Sequence, residues 1–236
     1  MPMNVKYENR AGRRQLLMLA GIAGGVASLF PIPQIASAFE AHDQAAVVHV
    51  AAKHRTRSAK TSETAAALRD LWIGHIFWVR GVSLAAIDKS DAAMKAAEQQ
   101  AVANAQSIAA SIEPFYGAAA KDGFFKLLAG HYGSVKAYVV ATVGDNASGQ
   151  STATQSLTSN AEEIAVFLSK ANPHLPKQAL NNLLLAHGGH HIQQIQQLKA
   201  RDYASEAKTW ENMKTHVYQI ADATADALAK QFPKQF

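Results

Sequence analysis

Residues 180–200 read LNNLLLAHGGHHIQQIQQLKA. Leu180, Leu184, His187, His191, Gln194 and Leu198 recur at spacings of three and four, the period of one helix face. The stretch is therefore an amphipathic helix whose inward stripe is partly imidazole, with His190 within a turn of His187. The same period surrounds three more histidines. Leu68, Trp72, His75, Val79, Val82 and Ala86 form one stripe; Phe124, Leu128, His131, Val135 and Tyr138 form a second; Met213, His216, Ile220, Ala223 and Ala227 form a third.

Between these stripes the chain is rich in Ala, Leu, Gln and Lys and poor in proline, which favours helix throughout. Helices are expected over residues 62–87, 91–112, 118–143, 157–171, 176–200 and 203–231. Asp88, Ser90 and Asp91 make the first turn, and Pro114, Gly117 and Pro173 mark later boundaries. Residues 144–158 mix Gly, Asn, Ser and Thr and read as a long loop. Neither an internal repeat nor a strand-like alternation is visible. Long helices joined by short turns pack antiparallel, so the expected fold class is all-α: an up-and-down four-helix bundle with additional helices.

Ten histidines in 236 residues is many, and their placement in apolar stripes is the informative feature. A single inward histidine is ordinarily a core residue satisfied by a hydrogen bond, but each buried imidazole costs desolvation unless it has a partner. Helix bundles assemble metal sites from facing side chains. His75, His131, His187 and His216 are accordingly candidate ligands of a shared metal, with His190 and His191 as auxiliaries. Glycine is the second oddity: Gly74 precedes His75, Gly130 precedes His131, and Gly188 and Gly189 separate His187 from His190. Each interior helical glycine costs about 1 kcal/mol relative to alanine. Two explanations are open: room for a flat group such as haem held by two histidines, or close helix packing.

The chain contains no cysteine, which excludes disulfides, thiolate metal sites, iron–sulfur clusters and cysteine-attached haem. Any metal must be held by His, Asp, Glu or Met. No Gly-x-Ser-x-Gly elbow is present, and no glycine-rich loop between a strand and a helix, so serine-nucleophile and phosphate-transfer chemistry have no framework.

Residues 1–38 read as a twin-arginine signal peptide: a basic stretch ending in Arg13 and Arg14, an apolar run from Leu16 to Phe30, and the small-residue site Ala36, Ser37, Ala38. A general secretory signal or an uncleaved anchor is the alternative; the run is short and broken by Pro31 and Pro33. The expected address is periplasmic or secreted, with no membrane span in the mature chain. Removing this segment lowers the formal charge from +5 to +2, with 19 basic and 17 acidic residues left in 198. Residues 39–61 are expected to be a flexible leader carrying Lys53, Arg55, Arg57 and Lys60. That run is either a solvated linker or a contact for nucleic acid or anionic lipid. No aromatic residues interleave with it, so no nucleic-acid partner is expected. Residues 62–236 are then one helical bundle domain.

Several strings in the mature chain carry a resemblance: Leu71, Trp72 and His75, the EPFYG string ending at Gly117, FLSKANP from Phe167 to Pro173, Ile220 to Asp222, and the terminal KQFP with Phe236. Over nearly all its mature length the chain resembles a family of small bacterial helical-bundle proteins. Members of that family carry enzyme names, acetylglutamate kinase or glycosyltransferase, that such sequences do not support. The resemblance implies inward histidines at His75, His131 and His187, and a His or Glu at the position of His216. Where the family pattern has acidic residues beside the histidines, this chain has Gly74, Gly130 and Gly189, which argues against a carboxylate-rich di-metal centre. Mostly neutral nitrogens suit zinc, copper, nickel or haem iron. The expected role is binding, storage or sensing of a metal ion rather than turnover. A metal- or haem-dependent redox enzyme, an interaction protein with an ordinary core, and a carrier of an apolar ligand are the alternatives.

Overall fold

The computed structural model describes residues 57–236; the expected signal segment and most of the expected leader lie outside them. The described chain forms α1 (Ala59–Ile87), α2 (Asp91–Ala110), a single turn α3 (Glu113–Tyr116), α4 (Ala118–Val143), α5 (Ala147–Ala171), α6 (Lys177–Ala200) and α7 (Tyr203–Gln231). No strand occurs among the described residues, so the all-α bundle expected from the sequence is what forms. None of these helices is long and apolar enough to cross a membrane.

The region expected to be a loop, residues 144–158, is instead mostly helix, because α5 begins at Ala147. Asn146 opens it, its side chain accepting from Gly149 N at 2.9 Å. The following Thr152, Thr154, Ser156 and Thr158 turn their hydroxyls back onto carbonyls four residues earlier, so they do not compete for the helical backbone. Ala153, Thr154 and Leu157 then bury one face. Packing thus overrides the turn-like composition. At the other end α1 starts at Ala59 on a Ser58 cap, and Arg57 of the expected leader bonds Asp226 at 2.7 Å.

Helix α5 changes the plan of the bundle. Three inner helices, α1, α4 and α6, pack against one another; α2 lies between α1 and α4, α5 between α4 and α6, and α7 between α6 and α1. Each inner helix is followed by its outer partner, so the fold is three helical hairpins around a central axis. The hairpins repeat each other. Lys89, Asp145 and Arg201, each 56 residues from the next, occupy the left-handed region with φ of 55°, 53° and 58°. The following N–H, of Ser90, Asn146 and Asp202, bonds back to Ala85, Ala141 and Gln197 at 2.8–2.9 Å, closing the inner helix. That same residue is the N-cap of the outer helix. On the outer helices Ile108, Ile164 and Ile220 sit at the same interval and are equally buried.

An internal repeat is therefore present where the sequence suggests none. It is hidden because few equivalent positions keep the same residue type: Trp72 corresponds to Leu128 and Leu184, and Asn104 to Asn160 and His216. The repeat predicts that the three turns respond alike. A left-handed conformation costs a non-glycine residue about 1 kcal/mol or more. Lys89→Gly and Arg201→Gly should each stabilise the protein by about 0.5–1 kcal/mol in urea titrations; a loss of stability at either turn would contradict that equivalence.

Candidate metal centre

The repeat brings one histidine from each inner helix to the axis: His75 on α1, His131 on α4 and His187 on α6, again 56 residues apart. One turn beyond His187, His191 replaces the valines found at the equivalent positions, Val79 and Val135. All four rings are buried, His191 completely. One nitrogen from each lies within 4.8 Å of the other three.

The Nε2 atoms of His75, His187 and His191 form a triangle with sides of 3.2, 3.3 and 3.1 Å. Hydrogen bonding alone cannot satisfy three mutually adjacent nitrogens. A proton on one is shared between the other two, and a second proton would be driven against the first. The fourth ring adds an Nε2, on His131, with no hydrogen-bond partner. Tetrahedral ligation with metal–nitrogen bonds of about 2.0–2.1 Å places ligand nitrogens about 3.3–3.4 Å apart. The triangle matches that edge, so the arrangement has the size and donor set of a single-ion site.

Two kinds of contact fix the rings. Trp72 meets His75 and His187 edge-on, with centroids 5.8 and 5.6 Å away. His131 stacks on His187 at 5.5 Å and 17°. Behind the rings, Asn104 Nδ2 donates to Leu71 O at 2.9 Å and Asn160 Nδ2 to Leu127 O at 3.0 Å. These bonds pin outer helices α2 and α5 to the backbone one turn before His75 and His131. Asn104 and Asn160 stand outside the histidine stripes that the sequence makes conspicuous. Their signal is their interval: each follows its histidine by 29 residues.

The third hairpin explains His216. Its Nε2 donates to Leu183 O at 2.8 Å, the bond that Asn104 and Asn160 make in the other two hairpins. His216 thus holds α7 against α6 and stands outside the four-nitrogen group, as does His190, whose ring packs edge-on to His216 at 5.2 Å. Of the six candidate histidines the structure brings four together, and His191, expected only as an auxiliary, is one of them.

The glycines have a packing reason. A Cβ on Gly74 would lie 2.7 Å from Asn104 Nδ2, one on Gly130 3.2 Å from Asn160 Nδ2, and one on Gly188 3.0 Å from Leu157. Asparagine and leucine side chains fill the space that a flat macrocycle would need at these three glycines, and Gly189 is only half-buried in α6. With the Nε2 atoms converging on one point instead of facing across a slot, haem does not fit this geometry.

Burial is also the main electrostatic influence. It lowers the His75 pKa from 6.5 to about 3, with repulsion from His131 adding to it. It lowers His131 to about 4, an effect that hydrogen bonding to Asn160 partly opposes. His187 and His191 are pushed well below 6.5 by burial and by the neighbouring imidazoles. At neutral pH the four rings therefore keep their lone pairs, which is the state a metal needs. Glu206, the buried carboxylate a turn past His191, is occupied by Arg80 at 2.7 Å and Gln194 at 2.8 Å. Comparison with protein-family models, curated proteins and solved structures finds no match to this chain.

These shifts set the pH response of the metal-free protein. Above about pH 6.5 the rings are neutral in both folded and unfolded chains and contribute nothing. As pH falls from 6.5 toward 4, the unfolded chain takes up protons that the folded core refuses, and stability drops. Each ring contributes a slope of at most about 1.4 kcal/mol per pH unit. Urea unfolding of metal-free protein at pH 7, 6 and 5 should show this fall, with a shallower slope for His75→Gln; a flat profile would mean the rings are not buried neutral.

Proposed function

We propose that the chain is an exported protein that holds one transition-metal ion through Nε2 of His75, His131, His187 and His191. The observation that carries this reading is the convergence of four buried, neutral imidazole nitrogens within 4.8 Å, three of them within 3.1–3.3 Å of each other. A donor set of four neutral nitrogens without carboxylate or thiolate suits zinc, copper, nickel or iron. Four ligands complete a tetrahedral zinc site, whereas iron would keep a further position open.

The role is binding, storage or sensing. Export rests on Arg13 and Arg14, the apolar run after them and the Ala36, Ser37, Ala38 site. The twin-arginine route carries folded proteins, so a metal buried this deeply would be loaded before transport. The resemblance to the small bacterial helical-bundle family implies inward histidines at His75, His131 and His187 and supplies no activity.

The test is metal analysis of the full chain, purified without a His tag. One ion per chain is expected. His187→Ala and His191→Ala should lose it, with an affinity drop beyond the roughly 10–100-fold that outer hydrogen-bond partners carry. His216→Ala should retain one ion while losing thermal stability. Protein that takes up none of zinc, copper, nickel or iron overturns the reading. Export is tested separately: Arg13→Lys with Arg14→Lys should leave the chain in the cytoplasm.

A further inference from the structure

The axis that carries the histidines continues into a largely apolar cavity of ≈ 40 Å³. His75, His131 and His187 form its floor, and His191 does not line it. On α6 the lining residues Leu180, Leu184 and His187 all precede His191, so the cavity and His191 lie on opposite sides of the three-histidine ring. The walls repeat with the fold. Next to the histidines come Trp72, Leu128 and Leu184, and beyond them Leu68, Phe124 and Leu180. Outside the histidines and Trp72, the polar side chains lining it among the described residues are Ser111 and Thr224.

The volume and chemistry of this chamber narrow its occupant. A single water needs roughly 10–15 Å³ measured in this way, and a cavity large enough for benzene is about 150 Å³, so the chamber suits a molecule of two or three heavy atoms. A water needs two to four polar partners, and an anion would have to shed its hydration shell between leucine and phenylalanine side chains. A neutral, apolar molecule loses least on entry. An ion held by the four histidines would meet this chamber at its face turned away from His191.

Resting on the four-histidine metal reading, we infer that this face is a binding site for a neutral diatomic gas, of the class of dioxygen, nitric oxide and carbon monoxide, received in the apolar chamber on the axis. Binding is by coordination alone: the ligand donates to the ion, no bond within it breaks, and no proton or reductant is required. Ferrous iron, which binds such ligands and keeps a position open beyond four nitrogens, is among the ions the donor set accepts. Zinc in the same place would be closed to them.

The test loads the full chain anaerobically with ferrous ion at one per chain and titrates nitric oxide followed by paramagnetic resonance or carbon monoxide followed by its infrared stretch. Stoichiometric gas binding is expected, with azide at least ten-fold less effective as a ligand. Leu128→Phe and Leu184→Phe, each filling the chamber beside the histidines, should keep the ion but weaken gas binding at least ten-fold; retained metal certifies that each variant is folded. Leu128→Ala should conversely admit a larger neutral ligand, ethyl isocyanide. A protein that holds its ion yet binds no gas, or binds it equally well when the chamber is filled, or prefers azide, overturns this inference and leaves the metal site standing. Failure to hold ferrous ion overturns this inference, and failure to bind any metal overturns both.

Discussion

Four imidazoles share a core that offers their Nε2 atoms almost nothing except each other. Burial keeps the rings neutral, and a triangle of nitrogens at 3.1–3.3 Å cannot be satisfied by protons, because each added proton relieves one contact and crowds another. An unpaired buried polar group costs about 1–3 kcal/mol. A cation at the common point resolves all four at once. The surrounding structure reads as the means of holding the rings in that otherwise unfavourable arrangement: Trp72 edge-on to two of them, His131 stacked on His187, and the inner helices braced from outside.

That bracing is threefold. Each outer helix sends a polar side chain to a carbonyl of the inner helix before it, from Asn104, Asn160 and His216 to Leu71, Leu127 and Leu183. Threefold repetition delivers three equivalent histidines to the axis, and one departure from it supplies the fourth: His191 in place of Val79 and Val135. The departure makes the two ends of the axis different. On one side the ring of three histidines faces His191 and, a turn further, the Gln194–Glu206–Arg80 group. On the other it faces leucine, tryptophan and phenylalanine.

Much of the fold is legible from periodicity. Stripes at spacings of three and four mark the inner faces of α1, α4, α6 and α7, and all five stripe histidines prove buried. The start of α5 was not legible, because Gly, Asn, Ser and Thr are ordinary loop residues until hydroxyls find carbonyls of their own helix and Ala153 and Leu157 find a core. The glycines were legible as odd but not as to cause. Only the neighbouring helix reveals that Asn104 and Asn160 need the space a Cβ would take at Gly74 and Gly130.

The candidate centre divides in the same way. Helical period alone determines that His75, His131, His187, His191 and His216 face inward, since it depends only on the positions of residues along one helix. It cannot determine which inward rings meet, because that depends on the rotation and height of helices that are distant in the chain. His187 and His216 lie in inward stripes of the same period, yet one turns its Nε2 to the nitrogens of His75 and His191 and the other to a backbone carbonyl. The difference is their place in the repeat, an inner helix for His187 and an outer one for His216, and only the packing of three hairpins about one axis decides it.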